Sequence, residues 1–242
     1  MKSEVCSLSI KSTFAYLEFS AADFRLATHH SKLTTKVIRN KKNIFINRII
    51  HYYVKWIVAR QFHEVLLNDV EIDKSKSVLL VANHFSFWDG LILYCVTEKL
   101  LKKRYHVMVE EKTVHMLHYL KFAGAFSVTK KSRDIIESLD YAARLLDDPQ
   151  NLVLIFPQGK LFSNYVDDVR FDKGVFRIMQ KAQGKYQLLF ASTFIQYFKH
   201  KKSTATVYLK RDNNNYPNIA GLKEAYQQHY SSSKLLQTQF DI

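Results

Sequence analysis

Short apolar runs rich in β-branched residues alternate with longer stretches of helical spacing along most of this 242-residue chain. Strands are predicted at 78–82, 105–109, 152–156, 188–196 and 204–209, with a further short strand that ends at 127–128. Helices are predicted at 91–101, 113–120, 134–146 and 175–181. This alternation is typical of α/β proteins, so we predict a single α/β domain with a mostly parallel mixed sheet flanked by helices.

A basic and aromatic stretch precedes the alternating region. Residues 24–63 contain nine lysines and arginines and no carboxylate. Within this stretch, apolar residues recur at helical spacing at Ile46, Ile49, Ile50, Tyr53 and Ile57. The pattern predicts an N-terminal amphipathic helix within 41–72. A helix of this kind either lies in a bilayer interface or packs its apolar face on its own domain, and the spacing fits both.

The net charge of +14 predicts an anionic partner, which could be a membrane surface, an acidic protein or nucleic acid. No helix-turn-helix, zinc-finger or RRM signature accompanies the charge, so we predict that the protein does not bind nucleic acid. The chain has no signal-peptide pattern near its start and no apolar window of about eighteen residues. We therefore expect a bacterial protein that is peripheral to the membrane and lies on its cytoplasmic side.

The first candidate for chemistry lies where the strand at 78–82 ends. Asn83 and His84 follow the strand, and Asp89 comes five residues after His84 at the start of a predicted helix. Sites in open α/β sheets form beyond the carboxyl ends of the strands. A carboxylate bonded to one imidazole nitrogen leaves the other nitrogen as an acceptor, as a general base requires. A structural histidine bonded to a helix-start aspartate would show the same spacing.

Two further polar segments follow predicted strands and so belong at the same edge of the sheet. The strand that ends at 127–128 runs into Lys130, Lys131 and Arg133, which predicts either an anion site or a solvated basic turn. The strand at 152–156 leads into a turn made of Phe156, Pro157, Gln158, Gly159 and Lys160.

Together these blocks resemble the glycerolipid acyltransferase superfamily, typified by the 1-acylglycerol-phosphate acyltransferases. That family places H-x-x-x-x-D after a strand, then G-x-x-F-I-x-R, then F-P-E-G-x-R-S, then an apolar strand. The corresponding segments here, in the same order over roughly residues 77–195, are His84 to Asp89, Gly124 to Lys130, Phe156 to Gly159, and 188–194.

The fourth block lacks the family's usual proline and has Ala191, Ser192 and Thr193 there, and three further positions depart from the family pattern. Gln158 stands where the family has glutamate, Leu161 where it has arginine, and Lys130 where its second block ends in arginine. In the family, the cations of the second and third blocks hold the phosphate of the acceptor. Because of these departures, the acceptor could carry a head group other than a phosphate.

The resemblance implies an O-acyltransferase of phospholipid biosynthesis, which moves an acyl chain from acyl-CoA or acyl carrier protein to a hydroxyl of a lysophospholipid or related lipid. His84 would be the general base and Asp89 would orient it. Substrate-binding residues would be Asn83, Lys130, Phe156, Pro157, Gln158, Gly159 and Lys160. No metal and no cofactor besides the thioester co-substrate is expected. The alternatives are a catalytically inactive lipid-binding relative and, on charge alone, a nucleic-acid-binding protein.

The expected partners are a lipid acceptor, an anionic membrane surface and an acidic acyl carrier protein. Four segments are expected along the chain. Residues 1–40 form a weakly structured lead-in with a helix near 13–27, and 41–72 form the amphipathic membrane-associating helix. Residues 73–230 form the acyltransferase α/β domain, and 231–242 form a polar tail.

Overall fold

A computed structural model describes residues 5–8, 38, 44–128 and 132–239. The helix predicted near 13–27 lies outside these residues. The described strands are β1 (Val5–Leu8), β2 (Val65–Asn68), β3 (Ser77–Ala82), β4 (Arg104–Glu110), β5 (Ala125–Val128), β6 (Asn151–Ile155), β7 (Tyr186–Gln196) and β8 (Thr204–Asp212). They form one sheet in the order β1-β2-β8-β7-β3-β6-β4-β5.

Helices cover both faces of this sheet. They are α1 (Ile44–Gln61), α2 (Trp88–Val96), α3 (Glu111–Met116), α4 (Ser132–Leu145), α5 (Gly174–Lys181) and α6 (Ile219–Thr238). A π-helical turn, Thr97–Leu101, continues α2, and a 3₁₀ segment, His118–Phe122, follows α3. None of the helices in the described ranges combines the length and the apolar composition needed to cross a membrane.

The sheet is mixed and mostly parallel, which confirms the predicted fold class. Among the described strands, only β1 with β2 and β7 with β8 pair antiparallel. Strand β3 is central and every residue of it is buried. Its Val78 and Leu80 pack in a core with α1 and α2, whereas Leu79 and Val81 pack in a core with α4, α5 and α6. Burial on both faces explains why this strand is an uninterrupted apolar run.

Helix α1 is shorter than the apolar stretch that predicts it. It ends at Gln61, and Val65–Asn68 instead form β2, which pairs in parallel with β8. The predicted apolar face also divides into two. Ile50 and Ile57 pack on the domain beside the fully buried Val54 and Val58.

The other part of that face, which includes Ile49 and Tyr53, points outward. The exposed apolar residues of α1 are Phe45, Ile49, Tyr52, Tyr53 and Trp56, at 81%, 62%, 48%, 41% and 41% exposure. Their spacing places them on one side of the helix, which we call the aromatic stripe. The guanidinium of Arg60 lies 5.3 Å from the Trp56 ring centroid and ends the stripe with a cation.

The end of the described chain differs from the expectation of a polar tail from residue 231. Helix α6 continues to Thr238 and packs on the sheet. Ser233 and Gln237 are buried, and the Gln237 side chain bonds to the hydroxyl of Tyr208 and to Gln196. Because these polar groups are satisfied inside the domain, a helix with little apolar periodicity still packs there.

Candidate active site

The carboxyl ends of β3, β4 and β6 meet at one edge of the sheet, because these strands are parallel neighbours. We call this the catalytic edge. His84 follows β3, Glu110 ends β4, and Phe156 follows β6. All three residues line a cavity of about 800 Å³ that opens here. The location is the one expected for a ligand site in an open α/β sheet.

The His84 imidazole is bonded to the Asp89 carboxylate at the mouth of this cavity. Asp89 lies in the first turn of α2 and is fully buried. Its Oδ2 atom lies 2.9 Å from His84 Nδ1 and accepts the backbone N–H groups of Phe85 at 2.7 Å and Ser86 at 2.9 Å. These bonds fold the loop between β3 and α2 back on the helix start. An ionised carboxylate only accepts, so Nδ1 of a neutral imidazole carries the proton and Nε2 has the lone pair.

The loop after β6 holds His84 from its other side. The Phe156 ring stacks on the imidazole, with centroids 4.0 Å apart and planes 16° from parallel. The His84 backbone N–H donates to Gln158 Oε1 at 2.6 Å, and the His84 carbonyl accepts the N–H of Phe162 at 3.0 Å. The histidine is therefore fixed through its ring, its N–H and its carbonyl.

The structure divides the predicted substrate-binding residues into two groups. Phe156, Pro157, Gly159 and Lys160 line the cavity together with His84. Asn83 and Gln158 do not; both are 3% exposed and bond to backbone. The Asn83 amide exchanges two hydrogen bonds with the backbone of Thr193 in β7, at 3.0 and 2.8 Å.

Lys130 lies outside the described residues, so its role stays a prediction. Two acidic residues, Glu110 and Asp172, also line the cavity. Lys160 Nζ lies 5.1 Å from the ring centroid of Phe162. Leu161, at the position of the family arginine, lines the cavity and is 54% exposed. Among the described residues, the mouth therefore combines one lysine and two acidic side chains with apolar surface.

Gly159 is required by the turn that carries these groups. Its φ is +67°, a conformation that residues with a Cβ rarely adopt. A Cβ at this position would also collide with the Asp172 carboxylate. The Asp172 N–H in turn donates to the Pro157 carbonyl at 2.7 Å, which closes the loop over the cavity mouth.

The body of the cavity is apolar and extends away from the catalytic edge. Lining residues on β4 run from Glu110 back to Tyr105, which is about 16 Å of strand at about 3.3 Å per residue. From Phe87, just before α2, the lining continues along α2 to Tyr94. Other lining residues are Leu91, Val107, Leu120, Ala125 and Ile155. The shape suits an extended apolar chain with one end beside His84.

Two tyrosines close the deep end of the cavity. The rings of Tyr94 and Tyr105 meet edge to face with centroids 5.3 Å apart. Tyr105 Oη donates to the Gly90 carbonyl at 2.7 Å, and the Tyr94 hydroxyl lies 3.2 Å from His51 Nδ1 on α1. Burial raises the pKa of both hydroxyls above the ordinary tyrosine value, so both stay protonated. No sequence motif indicates these residues.

Comparison with known families agrees with this geometry. The family model described as Acyltransferase matches residues 65–196. This range is more than half of the chain, and it contains β2 to β7 as well as His84 and Asp89. No curated protein sequence matches the chain. The extent of the family match, on a sheet whose catalytic edge carries the expected motif residues, shows that this chain belongs to the acyltransferase family of the glycerolipid acyltransferase superfamily.

Proposed function

We propose that this acyltransferase moves a fatty acyl chain from a thioester, acyl-CoA or acyl carrier protein, to a hydroxyl of a lysophospholipid or related lipid. The observation that carries the proposal is the His84–Asp89 pair, joined at 2.9 Å, at the mouth of an apolar cavity of about 800 Å³. An imidazole–carboxylate pair alone serves many reactions. The adjoining cavity, which is deep and lined mainly by apolar side chains, favours a substrate with a long alkyl chain.

The proposed reaction begins with the acyl chain in the cavity and the thioester carbonyl beside His84. The acceptor hydroxyl bonds to His84 Nε2, which takes the proton as the oxygen attacks the carbonyl carbon. The carbon–sulfur bond then breaks, and the imidazolium returns the proton to the leaving sulfur. Asp89 keeps Nε2 as the acceptor and stabilises the imidazolium. General base catalysis of this kind contributes about 10²–10⁴-fold to the rate.

The acceptor's polar group is proposed to contact Lys160, whose side chain is held over the Phe162 ring. Leu161 offers alkyl contact at the place where the family has an arginine. A phosphate would therefore lose one charged partner at this position, whereas a neutral or aromatic group would gain apolar contact. Lys130 is proposed as a second contact to the acceptor.

The aromatic stripe of α1 is proposed to bind the enzyme to an anionic membrane surface on the cytoplasmic side. Tyrosine and tryptophan rings are suited to the interface of a bilayer, and lysines or arginines near anionic lipid each add about 1 kcal/mol of attraction. The packing of α1 on the domain core uses mainly its other side. Tyr53 also contacts the Tyr119 ring edge to face, and the residues of the stripe are 41–81% exposed.

The proposal is tested by giving acyl-CoA or acyl carrier protein and a pool of lyso-lipids to the purified protein and to its His84→Ala variant. Mass spectrometry of the lipids should find a new acylated species with the parent protein and not with the variant. The mass of that species identifies the acceptor. If neither protein forms any acylated lipid, the alternative of an inactive lipid-binding relative replaces the proposal.

A further inference from the structure

A basic hairpin joins β7 to β8 at residues 197–203, outside the site described above. We propose that this basic hairpin binds the head groups of anionic lipids and holds the catalytic edge against the membrane. This inference rests on one part of the proposed function, which is that the enzyme works at a bilayer. Its test measures membrane binding without substrate, so failure of the hairpin and failure of acyl transfer are distinguishable.

The composition and exposure of the basic hairpin fit an anionic surface. Lys199, Lys201 and Lys202 are all exposed, and Tyr197 is 62% exposed. No carboxylate occurs between residues 197 and 203. The segment thus combines three cations with a ring that has one apolar and one polar end, as is common for side chains at a bilayer interface.

The position of the basic hairpin follows from the strand register. Strand β7 runs parallel to β3, and Ala191 pairs with Ala82 at the end of β3. From that pairing β7 continues for five residues to Gln196, which is about 16 Å of strand. The basic hairpin therefore projects beyond the same edge of the sheet at which His84 lies.

Contacts also attach the basic hairpin to the end of α1. The rings of His63 and His200 are stacked, with centroids 3.6 Å apart and planes 15° from parallel. The His63 N–H donates to the Ser203 carbonyl at 2.8 Å, and the Ala205 N–H donates to the Glu64 carbonyl at 3.1 Å. Because α1 ends at Gln61, the three lysines lie beside the end of the aromatic stripe that carries Arg60.

The closeness of the basic hairpin to the aromatic stripe favours a bilayer over an acidic protein as its binding partner. Further apolar side chains are exposed around the catalytic edge, namely Phe87 at 45%, Leu161 at 54% and Tyr165 at 83%. Together with the stripe, they place aromatic and apolar groups around the lysines, which suits the boundary between head groups and acyl chains. The hydrated, mobile ammonium groups of lysine suit a diffuse layer of negative charge.

The test compares binding to phosphatidylcholine vesicles with and without phosphatidylglycerol. The hairpin variant combines Lys199→Gln, Lys201→Gln and Lys202→Gln. We expect its partition onto anionic vesicles to fall about a hundredfold, from about fivefold for each lysine near the surface. Neutral vesicles should bind both proteins alike, and added salt should weaken the parent more than the variant.

The matched control variant combines Lys74→Gln, Lys76→Gln and Lys185→Gln. These exposed lysines precede the amino ends of β3 and β7, so they lie at the edge of the sheet opposite the basic hairpin. Their substitution removes the same number of positive charges as the hairpin variant does. The control should keep most of the parental vesicle binding, and thermal unfolding should confirm that both variants are folded. Equal losses in the two variants, or none in the hairpin variant, would overturn the proposal. A hairpin variant that binds vesicles normally but loses turnover with acyl carrier protein alone would assign the hairpin to that protein instead.

Discussion

The mouth and the deep end of the cavity are held in place by different kinds of contact. At the mouth, His84 is fixed by hydrogen bonds to Asp89, Gln158 and Phe162. At the deep end, one hydrogen bond anchors each hydroxyl of Tyr94 and Tyr105, but the surfaces that enclose the cavity are rings and other apolar side chains. Hydrogen bonds fix direction, whereas apolar contacts depend on volume and accept substitutions of similar size. The mouth is therefore suited to chemistry and the deep end to selecting the length of a chain.

The largest expected effect comes from removing the imidazole at the mouth. His84→Gln keeps a polar side chain of similar length but provides no basic nitrogen. We expect kcat/KM for acyl transfer to fall about 10²–10⁴-fold, the usual contribution of a general base. Steady-state kinetics with parent and variant measure the loss. A variant that keeps parental kcat/KM would remove His84 from the reaction.

A smaller loss is expected when the support behind His84 is removed. Gln158→Leu keeps the volume but leaves the His84 N–H without its acceptor, at a cost of about 1–3 kcal/mol. We expect a fall of about 10–100-fold in kcat with little change in KM, because Gln158 does not line the cavity.

The matched control for this position is Gln158→Glu, which restores the family residue and keeps an acceptor oxygen. It should retain activity near that of the parent, since the bond needs an acceptor and not an amide. Equal losses with leucine and with glutamate would contradict a positioning role for Gln158.

At the deep end, a smaller residue should change which donor is used and leave the chemistry intact. Tyr94→Leu enlarges the cavity beyond Leu91 and Tyr105. Each additional buried methylene contributes about 0.8 kcal/mol, so donors two carbons longer should gain about fifteenfold relative to shorter ones. Competition between acyl-CoA donors of different length measures the ratio.

The control for the deep end is Tyr186→Leu, a half-buried tyrosine on β7 that does not line the cavity. This substitution removes a ring of the same size, but the preference between acyl-CoA donors of different length should not change. An unchanged preference in Tyr94→Leu would show that this tyrosine does not limit the chain.

The smallest expected effect concerns the acceptor at the mouth. Leu161→Arg restores the family cation at an exposed position, where solvent screens its charge. We expect kcat/KM to rise about fivefold for an acceptor with a phosphate relative to a neutral one. Leu161→Gln serves as the uncharged control, and an equal shift with glutamine would exclude charge as the cause.

The mouth could be predicted from the sequence because its residues lie close together in the chain. His84 and Asp89 are five positions apart and follow a strand that the sequence marks clearly. The roles of Asn83 and Gln158 could not be predicted in the same way. Their types suggest contact with substrate, but their side chains turn inward and bond to the backbone.

The deep end could not be predicted, since Tyr94 and Tyr105 come from different elements and resemble ordinary core aromatics. The fold was predicted where apolar periodicity is strong and missed where it is weak. Strand β2 has four residues, and α6 buries serine and glutamine beside its tyrosines, so neither carries a clear pattern. The exposure of the aromatic stripe depends on which side of α1 packs on the domain. The spacing of apolar residues alone does not predict that side.

The most direct test of acyl transfer at His84 counts both products of the reaction. Free thiol released from acyl-CoA and acylated lipid formed are measured together for the parent, His84→Gln and Asp89→Asn. Transfer by the proposed mechanism predicts one acylated lipid for each thiol released, with both falling together in the two variants. Thiol release by the parent without acylated lipid, or parental rates of lipid formation in His84→Gln, would contradict it.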